Sequence, residues 1–239
     1  MPKMITDSGK ANRYVFTFKK FDLMIYISHL DLQRLFRRTL KSAGYKIAYS
    51  HGFNPHPKIS LAQPLSLGYT GMREFMEVEL MSDDNPELVK KSLNENLPKG
   101  IEVTSAGLMH DSIKSLSAST CAAVYKIVSS KEFPRISQNV VDDFLSQEKI
   151  YGLRRHKKTK KMVETEIKDK IHWMRLRDGN ILEFQVDCGS NSNLNPEVLL
   201  NSFFKFCNLS HDESIIQTLK IFRMKIILED RVDKSIILQ

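Results

Sequence analysis

Apolar residues along this chain switch between two spacings, and the switches occur in nearly the same order twice. Val15, Phe16, Phe18, Phe21, Leu23, Ile25 and Tyr26 form an aromatic and branched run, which predicts one long strand or a hairpin over Arg13–Tyr26. Leu32, Leu35, Phe36, Leu40 and Ala43 recur at three and four residue intervals and predict a helix from His29 to Ala43, with Gly44 placed for a left-handed cap. Short strands follow at Ile47–Tyr49, Ile59–Ala62 and Glu74–Leu80. Asn85-Pro86-Glu87 then opens a helix to Asn96: a side-chain cap, a proline that gives up only an orphan donor, and an acid at the positive end. Ile101–Leu108 supplies the last strand of this half.

The second half repeats the rhythm. Cys121–Val128 reads as a strand, Glu132–Leu145 as a helix, and Lys149–Arg155 with Met162–Ile167 as a hairpin. A second hairpin, His172–Arg177 and Ile181–Val186, turns at Asp178-Gly179. Asn195-Pro196-Glu197 opens a helix to Cys207, and Thr218–Leu228 closes the order. The fold class expected is α+β, as two tandem ferredoxin-like (βαββαβ) units with an added β-hairpin in the second. The expected domains are 13–108 and 121–239, joined by a Ser-rich linker over 109–120.

With 239 residues, 41% of them hydrophobic, the chain can bury a core in one or two domains. The 36 Lys and Arg against 28 Asp and Glu leave a formal charge of +8, which favours an anionic partner. No apolar run reaches the roughly 18 residues of a membrane span, and Met1–Asn12 lacks the apolar core of a signal peptide. A cytoplasmic protein with no membrane partner is therefore expected. Cys121, Cys188 and Cys207 are scattered, which fits reduced thiols and provides no close-set pair to start a zinc site.

Four stretches carry groups capable of chemistry or binding. Ser28-His29-Leu30-Asp31 reads first as a helix cap. It also holds His29 and Asp31 beside backbone donors where a phosphate could sit. On the same helix Asp31, Arg34, Arg38 and Lys41 share a face, either a solvated stripe or a cationic track for a phosphate backbone. In Tyr49-Ser50-His51-Gly52-Phe53-Asn54-Pro55-His56-Pro57-Lys58, two prolines exclude helix and central strand, so the segment is a shaped loop. Its imidazoles could act as acid and base or simply shape a ligand site. A mixed metal site with His29 and Asp31 is the less favoured reading, and no metal is assigned. Arg154, Arg155, His156, Lys157, Lys158, Lys160 and Lys161 crowd a hairpin tip, which is either a solvated loop or a grip on nucleic acid. Trp173 reads as core or interface before it reads as a base-stacking platform.

Tyr26-Ile27-Ser28-His29-Leu30-Asp31, with Arg37-Arg38, Tyr49-Ser50, Gly52-Phe53-Asn54-Pro55-His56-Pro57-Lys58-Ile59-Ser60, Pro64-Leu65, Leu67-Gly68 and Glu74, resembles a radical-SAM-linked bacterial family. That family is a domain of unknown function found alone or fused behind a radical-SAM protein, and the resemblance is specific over residues 13–80. Its pattern carries glutamine where this chain has His51, and keeps His56. The resemblance implies a radical-SAM partner in trans. S-adenosylmethionine and an iron-sulfur cluster would sit on that partner, and no cofactor in this chain.

Three functional readings follow, with no activity established for this chain alone. The first is an RNA-binding or substrate-presenting accessory domain, with transfer or ribosomal RNA as partner. It would use Ser28, Arg34, Arg38, Tyr49, Ser50, Gly52, Phe53, Asn54 and Lys58, together with Arg154, Arg155, Lys157, Lys158, Lys160 and Lys161. The second is a metal-independent RNA endonuclease similar at fold level to CRISPR repeat-associated RNA nucleases, with His56, His29 and Asp31 as catalytic candidates and Arg34, Arg38 or Lys58 stabilising charge. The third is a protein-protein adaptor or small-ligand binder.

Overall fold

The computed structural model describes residues 10–110, 113–133, 136–155, 159–209, 219–229 and 237–238. The chain divides into two compact units, one of residues 1–120 with 225–239 and one of residues 121–224.

The first unit begins with β1 (Asn12–Lys20) and α1 (His29–Ser42), followed by β2 (Ile59–Leu61) and β3 (Thr70–Leu80), then α2 (Pro86–Asn96) and β4 (Ile101–Leu108). Its strands stand in the order β4-β1-β3-β2, each neighbour antiparallel, which is the ferredoxin-like order. α1, placed by its apolar spacing, and α2, placed by its Asn-Pro-Glu start, both lay their apolar face on this sheet. Leu32, Phe36 and Leu40 of α1 and Val89 and Leu93 of α2 share one buried cluster with Tyr14, Phe16, Phe18, Met76, Val78 and Leu80. Register slips where Thr17 faces Ser105 but Phe18 faces Val103, so a bulge at Thr104 keeps both Val103 and Ala106 in the core.

Three local expectations change in this unit. The predicted strand over Arg13–Tyr26 stops at Lys20 and gives way to a 3-10 turn, Asp22–Tyr26. There Phe21 donates its N–H to Gly100 O at 2.8 Å, and Asp22 enters the left-handed region at φ 49°. Ile47–Tyr49 is not a strand but two isolated bridges, Ile47 to Leu80 and Tyr49 to Pro57. The stretch expected as a linker instead carries a short helix, α3 (Leu116–Ser119). Leu116 is fully buried with Val15, Phe75, Met109, Ile226 and Leu228 on the other side of β1 and β3. Arg13 anchors this stretch by donating to the carbonyls of Ile113 (2.6 Å) and Lys114 (3.2 Å) and pairing with Glu77 at 3.1 Å. Glu77 in turn accepts the Leu116 N–H at 2.8 Å.

The second unit holds β5 (Thr120–Val128) from Cys121 onward, α4 (Gln138–Ser146), β6 (Tyr151–Arg155) and β7 (Met162–Glu166). It continues through β8 (Ile171–Arg177), β9 (Ile181–Asp187) and α5 (Pro196–Phe206) into the first five residues of β10 (Lys220–Leu228). The last four residues of β10 fall in the first unit, contrary to a boundary that kept everything after 121 together. Its strands run β10-β5-β9-β8, while β6 and β7 pair only with each other as the added hairpin. Aromatic packing fills its core, with Phe144 edge-on to Phe203 at 5.1 Å and Tyr125 beside Phe184 at 5.7 Å. The first helix of this unit starts at Gln138 rather than Glu132, because Phe133 is buried and gives its N–H to Gly179 O at 2.9 Å instead of to a helical turn. Both Asn-Pro-Glu starts are caps in fact: Asn85 accepts from the Glu87 N–H and Asn195 from the Glu197 N–H, each at 2.9 Å. At the far edge of the first unit Ile237–Leu238 forms β11, paired with Leu108 and Gly107 of β4. Among the described residues no helix is long and apolar enough to cross a membrane.

Phe36→Ala, which empties a fully buried aromatic site, is expected to lower unfolding free energy by about 3 to 5 kcal/mol in urea melts followed by circular dichroism. Alkaline pH tests the core differently. Burial pushes the Tyr14 phenol up to about 12 from 10.0, so the folded chain keeps a proton that the unfolded chain releases. Its contribution is complete below pH 10.0 and is lost as pH rises towards about 12, and Tyr45 is shifted in the same direction by burial. Urea midpoints at pH 9 and pH 11 should fall apart less in Tyr14→Phe than in the native chain, by about one proton's worth of slope.

Candidate nucleic-acid interface

A cationic surface lies on the first unit, between α1 and the segment after it. Since Leu32, Phe36 and Leu40 face the sheet, Arg34, Arg37, Arg38 and Lys41 face solvent, and all four are exposed. Gly44 at φ 89° reverses the chain, and the following segment is then stitched to the end of β3 by main-chain bonds. Met81 donates to Lys46 O at 2.9 Å, Ala48 to Glu79 O at 2.8 Å, and Glu79 to Lys58 O at 3.0 Å. An open groove results, lined by Arg37, Arg38, Lys41, Lys46, Tyr45, Ile47 and Tyr49. Tyr45, 4% exposed, is its floor.

Beyond the groove the predicted loop is a small closed ribbon. Ser50 N–H donates to His56 O at 2.8 Å and His56 N–H to Ser50 Oγ at 2.9 Å, so the loop is pinched at its base. Gly52 at φ 123° makes the turn, in a conformation L side chains rarely adopt. Phe53 stands at the tip wholly exposed, with Asn54 exposed beside it. His56, also exposed, lines a second hollow with Leu30, Gln33, Arg34, Arg37, Pro57 and Ile59.

The other expected site residues are placed differently. His29 is half-buried and lines a separate small cavity with Lys20, Gln63, Glu74 and Leu65, and His56 is not among the residues lining it. Ser28 caps α1 by accepting the Asp31 N–H at 3.1 Å, and its hydroxyl donates to the Asp31 carboxylate at 2.7 Å. That hydrogen bond, followed by the Arg34 guanidinium at 3.0 Å, holds Asp31 below the ordinary carboxylate range. Asp31 is thus a carboxylate that fills the helix N-terminus. Lys58 turns to Glu79, 2.7 Å away, rather than into the groove.

On the second unit, Arg154, Arg155, Lys160 and Lys161 are exposed at the end of the β6–β7 hairpin, where Arg155 Nε donates to Lys160 O at 3.0 Å. His156, Lys157 and Lys158 lie outside the described residues. Trp173 is half-buried on the sheet: its Nε1 donates to Gln185 Oε1 at 3.0 Å, and Arg175 lies over its ring at 4.9 Å. Among the described residues no three His, Cys, Asp or Glu side chains gather as a metal would require.

Lys41, read from the sequence as part of a cationic track with Arg34 and Arg38, lines the groove, and so do Arg37 and Lys46, which that reading did not include. Arg34, Arg37, Arg38 and Lys41 follow the i, i+3, i+4, i+7 rule used for the apolar face, so Arg37 was within reach of the same arithmetic. Lys46 arrives through a non-local bond to Met81, for which there is no local signal.

A cationic groove beside a pinched aromatic loop stands on an α+β scaffold of ferredoxin-like strand order. The chain belongs to DUF2344, a family described as uncharacterized and conserved in bacteria, which matches residues 13–196. No curated protein matches the chain.

Ser28→Ala removes the α1 cap and should cost about 1 kcal/mol in urea melts, while Ser28→Thr, which keeps a hydroxyl that can accept the Asp31 N–H and donate to its carboxylate, should recover most of it.

Proposed function

We propose that this chain is an RNA-binding accessory domain that presents RNA to a radical-SAM modification enzyme met in trans. One observation supports the RNA half above the others: four cations, Arg37, Arg38, Lys41 and Lys46, line one groove with no carboxylate among its lining residues. A polyanion entering it releases counterions from each phosphate neutralised, and Arg and Lys on a rigid helix are suited to that role. The formal charge of +8 acts in the same sense at longer range. Arg154, Arg155, Lys160 and Lys161 offer a second cationic contact on the other unit.

The radical-SAM half of the proposal rests on the sequence resemblance over residues 13–80. The cluster and S-adenosylmethionine are assigned to the partner. Here Cys121 is exposed at the head of β5, Cys188 is buried after β9, and Cys207 caps α5, with burial pushing its thiol up to about 11.

Binding to transfer RNA, followed by gel shift in chelator at low and at moderate salt, tests the reading. Arg37→Glu, Arg38→Glu and Lys41→Glu combined should weaken binding more than about tenfold and flatten the salt dependence by about two phosphate contacts. Unchanged affinity in this triple variant, with its circular dichroism intact, would sink the proposal.

A further inference from the structure

Resting on the RNA reading above, we infer that the groove takes an unpaired stretch of RNA, one strand with its bases turned outward, rather than a duplex. The groove joins two kinds of group that serve a single strand together. The groove's cations on α1 run from Arg37 to Lys41, about 6 Å at about 1.5 Å per residue, the reach of one or two phosphates along one strand. Readers of double-stranded RNA span far more, about 16 base pairs across two minor grooves, and touch both backbones.

Aromatic rings supply the second component. Tyr49 is 54% exposed and lines the groove with Arg37 and Arg38, and Phe53 at 113% exposure stands at the tip of the same ribbon. In a duplex every base face is covered by its neighbours, so these rings would gain no stacking partner. An unpaired base offers that face, and stacking of this kind tolerates any base. The ribbon is also built to keep the rings out. Two bonds between Ser50 and His56 and the bridge from Tyr49 to Pro57 close its base, while Gly52, at φ 123°, makes the turn beside Phe53. A hydrophobic ring displayed on a rigid mount beside a cationic track matches the chemistry of a strand whose phosphates and bases lie on opposite sides.

Fluorescence anisotropy of the full chain with a short single-stranded RNA, and with the same strand annealed to its complement, tests the inference. The single strand is expected to bind about tenfold tighter than the duplex. Tyr49→Ala and Phe53→Ala should each lower single-strand affinity at least about fivefold and narrow the gap between strand and duplex. Equal or tighter binding of the duplex would overturn the inference. So would single-strand affinity unmoved by both substitutions in chains that retain their circular dichroism. In either case a loss of binding on reversing Arg37, Arg38 and Lys41 would leave the RNA reading standing. Failure of both RNAs to bind would remove that reading and this one with it.

Discussion

Phe36 of α1 meets Phe18 of β1 edge to face, with 4.9 Å between ring centroids, and that contact sets the rotation of the helix about its own axis. Phe36 is fully buried, and Leu32 and Leu40, one turn to either side, are buried with it. A helix held so has only one side left for its remaining residues. Arg34, Arg37, Arg38 and Lys41 are exposed because their neighbours are not, and the cationic surface follows from the apolar one.

The opposite wall of the groove has a different origin. Segment 46–58 has no regular element of its own and borrows order from the end of β3 through bonds at Lys46, Ala48 and Lys58. Lys58 adds an ion pair to Glu79 at 2.7 Å, but both partners are about a third exposed, so solvent screens it and the main-chain bonds matter more. Because β3 is itself held between β1 and β2, the base of the ribbon carrying Tyr49 and Phe53 is tied to a paired strand. Loops that carry binding groups work best when a packed scaffold fixes their ends.

Much of this was legible in residue order, and the failures have physical causes. Helices α1, α2 and α5 could be placed because their start signals are local: apolar spacing behind a Ser cap for α1, and Asn-Pro-Glu for α2 and α5. The turn after Lys20 was not legible, since Asp22 at φ 49° interrupts a run whose composition suits a strand. Residues 109–120 read as a linker because they are rich in Ser. Yet one Leu116 finds a pocket, and Arg13 satisfies the nearby carbonyls from about a hundred residues away in sequence. The groove was half legible. Its helical cations follow from periodicity, but Lys46 joins through pairing with Met81, and Lys58 leaves through pairing with Glu79. Contacts between residues distant in the chain decide both.

The N-terminus of α1 bears on where a phosphate can go. Backbone donors and the positive end of the helix dipole usually make such a corner attractive to an anion. In this chain the corner is already filled: Ser28 accepts the Asp31 N–H, and the Asp31 carboxylate supplies the negative charge and binds Arg34. A second anion there would meet a carboxylate held ionised by those same partners. Arg37, Arg38 and Lys41 lie further along, towards the negative end of the helix, where cations are themselves favoured. On the proposed reading the same electrostatics that stabilise α1 turn phosphate away from its first turn. They direct it to the last two, next to Tyr49 and Lys46.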